Sequence, residues 1–186
     1  MTDSSNSKPR PAVFLDRDGT INVDPGYLGD PDKLKLLPNA VEGMCRLRDM
    51  GFELVIVTNQ SGIGRGYYTE EDFHRVQSRL FELLKPAELS FLDCFFCPFH
   101  IEAHLPEYRR ASEDRKPEPG MLLKAASRHG LDTVFSFMIG DSESDVEAGH
   151  RAGCRTIRLC GSEFETKADF IAADLLEAAQ IIKANR

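Results

Sequence analysis

The chain alternates short apolar runs with amphipathic stretches. Ala12–Asp16 (AVFLD), Glu53–Thr58 (ELVIVT), Leu92–Phe96 (LDCFF), Val134–Ile139 (VFSFMI) and Arg155–Leu159 (RTIRL) are each short and mostly apolar. Runs of this kind fit strands buried on both faces of a parallel sheet. Between them lie helical patterns. Asn39–Met50 places Val41, Met44 and Leu47 at three-residue spacing. Thr69–Lys85 opens with Thr-Glu-Glu-Asp, an N-cap signature, and stacks Phe73, Val76, Leu80, Leu83 and Leu84. Pro119–His129 opens with a proline and stops at Gly130; Asp145–Ala152 stops at Gly153; Ala173–Ala184 closes the chain. Strand–helix alternation predicts right-handed crossovers and an α/β fold with a doubly wound parallel sheet. Residues 12–186 are expected to form one domain, preceded by a polar, frayed segment over 1–11.

Composition adds bounds. The 186 residues are 41% hydrophobic and 28% charged, as in ordinary globular domains. No apolar run is long enough to span a bilayer. Thirty acidic residues against 23 basic ones give a net charge of -7, which argues against nonspecific nucleic-acid binding. The odd set Cys45, Cys94, Cys97, Cys154 and Cys160 suggests thiols rather than a disulfide framework. The first ten residues carry no apolar signal region. These features lead us to expect a cytoplasmic monomer without membrane or nucleic-acid partners.

Doubly wound sheets bind ligands at the carboxyl ends of their strands. There stand Asp16-Arg17-Asp18-Gly19-Thr20, then Thr58-Asn59-Gln60-Ser61-Gly62, then Gly140-Asp141-Ser142-Glu143-Ser144-Asp145. Arg115-Lys116-Pro117 precedes the helix at Pro119. Singly, each is an ordinary loop or cap sequence. Together, Asp16, Asp18, Asp141 and Asp145 would bring four carboxylates into one crevice. Such a group repels itself and rejects anions unless countered, and a hard divalent cation such as Mg2+ with oxygen ligands supplies the counter-charge. Lys116 adds a fixed cation. An anionic phosphate ester is the substrate class that needs this arrangement.

The order of these segments resembles the haloacid dehalogenase superfamily of phosphohydrolases over residues 12 to about 160. Asp16-x-Asp18-x-Thr20 matches its first motif, Thr58 its second, Lys116 its third, and Gly140-Asp141-x-x-x-Asp145 its fourth. FLDRDGTINVDPGY, VTNQSGIGRG and RKPEPGML resemble the branch that holds heptose bisphosphate phosphatases and histidinol phosphatases. The resemblance implies a Rossmann-like core. Neither 21–52 nor 59–91 can hold a separate cap domain, since domains begin near about 50 residues. It implies Asp16 as nucleophile, forming an aspartyl-phosphate, with Asp18 as acid and base, and Thr58 and Lys116 completing the catalytic set. Asp16, Asp141 and the Asp18 carbonyl would hold Mg2+, with Asp145 as a buttress or helix cap. Asp24, Tyr27, Asn59, Gln60, Ser61, Arg65 and Arg115 are the candidate substrate contacts.

The implied reaction is removal of the C7 phosphate of a heptose 1,7-bisphosphate, in heptose supply for bacterial surface polysaccharide. Histidinol phosphate or another small sugar phosphate is the alternative. The chain departs from the family in one loop. Where relatives carry Cys-x-His and Cys-x-Cys around a structural zinc, this chain keeps Cys97 but has Phe99, Ser112 and Asp114. Zinc is therefore not expected. A rescue set of Cys94, Cys97, His100 and His104 is disfavoured, because Cys94 and Cys97 would point to opposite faces of a strand. Without metal the loop is expected to be mobile. Ser142 stands where relatives place a lysine.

Overall fold

The structure is a computed structural model that describes residues 10–159 and 165–185. Six parallel strands form one sheet: β1 (Ala12–Leu15), β2 (Glu53–Asn59), β3 (Asp93–Cys97), β4 (Phe137–Gly140), β5 (Arg155–Leu159) and β6 (Phe170–Ala172), in the order β3-β2-β1-β4-β5-β6. The helices are α1 (Ala40–Asp49), the single turn α2 (Ser61–Gly64), α3 (Glu70–Leu84), α4 (Gly120–His129), α5 (Glu143–Ala152) and α6 (Leu175–Ala184). The chain winds outward from β1 to β3, then returns to β4 and winds the other way.

The period of two along β1 explains why its whole length is apolar. Val13 and Leu15 join one core with Ile56, Met44 and Leu47 of α1, Val76, Leu80 and Leu84 of α3, and Ala178 and Ile182 of α6. Ala12 and Phe14 join the other, with Val55, Val57, Met121, Leu122 and Ala125 of α4 and Ala148 and Ala152 of α5. Leu15 lies level with Ile56 on one side and Ile139 on the other. That register lines up the ends of β1, β2 and β4, so the residues that follow them share one crevice.

Several boundaries differ from the sequence pattern. β4 begins at Phe137, because residues 133–135 form a tight turn that leaves Val134 and Phe135 exposed. β6 is a three-residue edge strand, too short for its periodicity to register. The segment expected to fray splits: residues 1–9 lie outside the described residues, as does Cys160. Arg10 is tied to the Glu53 carboxylate (2.6 Å) and to the His129 carbonyl (2.9 Å). The capping box at Thr69 is present, with Asp72 as its partner. Among the described residues, no helix is long and apolar enough to cross a membrane.

α1 packs closely against α6 at Gly43. A Cβ on Gly43 would overlap the backbone carbonyl of Leu175. Gly43→Ala is expected to lower the stability to urea by about 1–3 kcal/mol despite alanine's better helix propensity. A variant as stable as the wild type, or more so, would show that the two helices can separate freely.

Candidate active site

Lys116 is the centre of the crevice. Its side chain is almost wholly buried, and its Nζ meets Asp16 Oδ1 at 2.8 Å, Asp145 Oδ1 at 2.6 Å and the Val57 carbonyl at 2.8 Å. Asn59, at the end of β2, holds the Lys116 backbone through both ends of its amide. Asn59 Nδ2 donates to the Lys116 carbonyl (3.0 Å), and the Lys116 N–H donates to Asn59 Oδ1 (3.1 Å). The Lys116–Pro117 peptide is cis. Burial alone would strip Lys116 of its proton, but Asp145 and Asp16 outweigh burial and hold it charged.

The carboxylates are divided by role. Asp16 follows β1 and lies at the base of the cleft. Burial pushes its carboxyl up to about 7 against the pull of Lys116, with Asp145 adding to the rise. Asp141 follows β4 and is raised to about 6, first by burial and then by Asp145. Gly19, with φ at +83°, lets the loop after β1 approach Asp141; a Cβ there would overlap the Asp141 carboxylate. Asp145 takes the ion pair on Oδ1, while its Oδ2 accepts from the Ser142 N–H (3.1 Å) and hydroxyl (2.6 Å) in a capping box that starts α5. Asp145 thus caps α5, the second of the two roles expected for it, and pairs with Lys116.

Asp18 sits in a separate network. Arg17 donates to both of its oxygens (3.2 and 2.8 Å), Asn22 Nδ2 to Oδ1 (2.8 Å) and Gln60 Nε2 to Oδ2 (2.8 Å). Gln60 also donates to Thr58 Oγ1 (2.9 Å) and accepts from the Tyr68 hydroxyl (2.5 Å). Asn59 and Gln60 were read from sequence as substrate contacts. Their polar atoms are instead engaged in holding Lys116, Asp18 and Thr58, although both still border the cleft. Arg17, Asn22 and Tyr68 were assigned no role from sequence. Arg17 stood inside the first motif, but its direction depends on the turn that follows β1. Tyr68 offered no signal.

The cleft has a volume of about 220 Å³ and is bordered by Asp16, Asp18, Thr58, Lys116, Asp141 and Asp145 at its base. Asp24 and Tyr27, both exposed, Ser61 and the buried Gln60 also line it. Arg65 and Arg115 stand outside this lining. Arg65 reaches Glu102 (3.4 Å), and Arg115 reaches the Phe99 carbonyl (3.4 Å). The two guanidinium groups are close enough for Arg65 to add to the burial that lowers the proton affinity of Arg115, and Tyr27 of the cleft wall is near enough to oppose it. The same two cations, after burial, lower the pKa of His100. A basic cluster thus adjoins the cleft beside Tyr27.

The loop from Pro98 to Arg115 is bonded throughout rather than loose. Arg110 lies over the Phe99 ring (3.8 Å), Arg109 donates to the Ala103 and His104 carbonyls (2.6 and 2.9 Å), and Asp114 pairs with Lys124 (2.5 Å). Cys94 packs into the core on one sheet face and Cys97 into that on the other. His104 faces the Arg65 carbonyl (3.1 Å). The rescue set of Cys94, Cys97, His100 and His104 therefore does not converge.

Among the described residues, one group has the spacing of a metal site: oxygens of Asp16, Asp141 and Asp145 lie within 4.8 Å of one another. Three carboxylates face a single lysine, and two of them are pushed well above their ordinary range. This donor set fits a hard divalent cation. With both Asp145 oxygens occupied, Asp16 and Asp141 are the side chains that would hold it.

Residues 114–178 match the model of a family described as HAD-hydrolase-like. The D-glycero-beta-D-manno-heptose-1,7-bisphosphate 7-phosphatase of Escherichia coli K12 is 38% identical over 183 residues, covering 95% of this chain and 96% of its own. The chain belongs to the haloacid dehalogenase-like phosphatases. A crystal structure of a putative phosphatase of this family from Mesorhizobium loti superposes with a TM-score of 0.83 at 36% identity, covering 94% of this chain and 88% of that one. The D,D-heptose 1,7-bisphosphate phosphatase of B. bronchiseptica, whose crystal structure is a complex with magnesium and phosphate, gives 0.80 at 26%, covering 95% and 99%. The Rossmann-like fold and phosphatase activity implied by the motifs are thereby shown for this haloacid dehalogenase-like chain.

The strain among the carboxylates has a sign. The folded protein holds protons on Asp16 and Asp141 that the unfolded chain releases near pH 4. Stability of the metal-free protein therefore falls as pH rises from about 4 through about 7. Asp141→Asn is expected to raise the metal-free melting temperature at pH 7 by about 2–4 °C. A lower melting temperature in the variant would contradict the strain.

Proposed function

We propose that this phosphatase removes the C7 phosphate of D-glycero-D-manno-heptose 1,7-bisphosphate through an aspartyl-phosphate on Asp16. The observation that carries the reading is Asp16 at the base of the cleft, paired with buried Lys116, in a chain 38% identical to a heptose bisphosphate phosphatase along nearly its whole length. The basic cluster of Arg65 and Arg115 next to Tyr27 supports a substrate with a second phosphate, which the histidinol ester lacks. The product would feed heptose supply for a surface polysaccharide.

Mg2+, held by Asp16 and Asp141 and, on the family pattern, by the Asp18 carbonyl, supplies counter-charge to the phosphoryl oxygens when bound. The chain's own residues do the rest. Asp16 attacks phosphorus as the carboxylate, and the bond to the C7 oxygen breaks. Asp18 gives that oxygen its proton, then removes one from the water that cleaves the aspartyl-phosphate. Lys116 balances charge on Asp16 and the transferring group, and the Thr58 hydroxyl borders the same space. Asp24, Tyr27 and Ser61 face the sugar.

Two expectations test this reading. Asp16→Asn should lower turnover by at least about 10³-fold with the fold intact by circular dichroism, since the amide is not a nucleophile. Near-wild-type turnover would remove Asp16 from the chemistry. Phosphate release with Mg2+ should favour the heptose bisphosphate over histidinol phosphate and fructose 1,6-bisphosphate by about a hundredfold in kcat/KM, about 2.7 kcal/mol. Arg115→Ala should erase most of the preference over histidinol phosphate. A flat profile would leave the phosphatase chemistry standing and remove the named substrate.

A further inference from the structure

Arg115 is a half-buried cation with little to hold it. Among the described residues no carboxylate pairs with it, and its guanidinium makes one side-chain hydrogen bond, from Nη1 to the Phe99 carbonyl at 3.4 Å. A carboxylate partner would engage the charge of the guanidinium, whereas a neutral carbonyl leaves it available to an anion. The direction of Arg115 therefore depends on the place of the Phe99 carbonyl.

That carbonyl also accepts from the Cys97 thiol at 3.9 Å, a weak donor, so the stronger hold on Phe99 is on its ring. The Arg110 guanidinium lies over the ring, 3.8 Å from its centre, and the Tyr108 ring is tilted against it at 6.0 Å. A planar guanidinium on an aromatic face is the arrangement in which arginine grips a ring best. Tyr108 is anchored in turn. Its hydroxyl donates to Glu70 Oε1 (3.0 Å) in the first turn of α3, and its carbonyl accepts from the His100 N–H (3.1 Å). The loop is seated on α2 as well: a Cβ on Gly64 would overlap the Pro98 carbonyl, and the Gly64 carbonyl accepts from the Leu105 N–H (3.0 Å). Arg110 itself is exposed, and neither it nor Phe99 lines the cleft.

We propose that Phe99 is a positioning residue for Arg115. Its ring, clamped between Arg110 and Tyr108, sets the place of the carbonyl that aims the guanidinium, and through Arg115 it sets the preference for a second phosphate. Phe99 acts on the substrate only through Arg115. The inference rests on the reading of Arg115 as the contact for that phosphate, so its test must separate the two.

A comparison of two esters of one sugar does so. The ratio of kcat/KM for heptose 1,7-bisphosphate to that for heptose 7-phosphate, taken with Mg2+ on one preparation, is independent of how much of a variant has folded. Arg115→Ala is expected to lower this ratio by about 10-fold or more, the loss of a charge-assisted hydrogen bond. An unchanged ratio there would remove Arg115 as the contact, and with it the inference. Given a lowered ratio, Phe99→Leu keeps apolar bulk but offers Arg110 no ring. It should lower the ratio by about 3- to 10-fold, through KM for the bisphosphate with kcat little changed. Phe99→Tyr keeps the ring and should stay within about twofold of the wild type. Equal losses on the two esters in Phe99→Leu would make Phe99 a structural residue and overturn the proposal. The double variant Phe99→Leu/Arg115→Ala decides the route. Its ratio should match that of Arg115→Ala, whereas losses that multiply would show that Phe99 does not act through Arg115 and would also overturn the proposal.

Discussion

A single buried ammonium holds this site together. Lys116 lies between Asp16 and Asp145 and is capped by the Val57 carbonyl, so one side chain ties the ends of β1 and β2 to the first turn of α5. A buried lysine with no partner would lose its proton, and two facing carboxylates with no lysine would repel. Each group is therefore tolerated only because the others are present. The amide of Asn59 grips the Lys116 backbone from β2, which places the ammonium before any ligand arrives.

The sheet makes that meeting possible. Lys116 and Asp16 are a hundred residues apart in sequence, yet parallel strands in matched register deliver their ends to one edge. The helices then divide the work by face. α1, α3 and α6 cover one side and α4 and α5 the other, leaving the carboxyl edge to loops. The excess of negative charge at this edge is not a defect of the design. It leaves Asp16 and Asp141 short of positive charge, the condition under which a divalent cation and a phosphate dianion bind together.

Much of this was legible in the sequence. Five of the six strands showed as short apolar-rich runs, most clearly β1, β2 and β4, whose residues are buried on both faces of the sheet. Asp16, Asp18, Thr58 and Asp141 showed because they stand at or just past the ends of those runs, and Lys116 because it sits before a proline-opened helix; all five border the cleft. What stayed hidden depended on partners distant in sequence. The apolarity of Val134 and Phe135 imitates a strand, but both are exposed in a turn. Phe170–Ala172 is too short to carry a period. Asn59 and Gln60 look like polar loop residues open to ligand, and only the fold reveals that Lys116, Asp18, Thr58 and Tyr68 already occupy them. The loop from Pro98 to Arg115 lacks metal ligands of the expected kind. Its order comes from an arginine over an aromatic ring and from arginine–carbonyl bonds, neither of which has a sequence signature.

The dependence of the site on Lys116 can be measured directly by urea unfolding of three metal-free variants at pH 7. Lys116→Met leaves Asp16 and Asp145 facing each other without a cation and should lose about 3–5 kcal/mol. Asp145→Asn alone should also destabilise. Combining the two removes one charge of each sign and should recover more than half of the Lys116→Met loss, while turnover stays abolished. Losses that simply add would contradict the account, because they would mean that the lysine and the carboxylates do not hold one another in place.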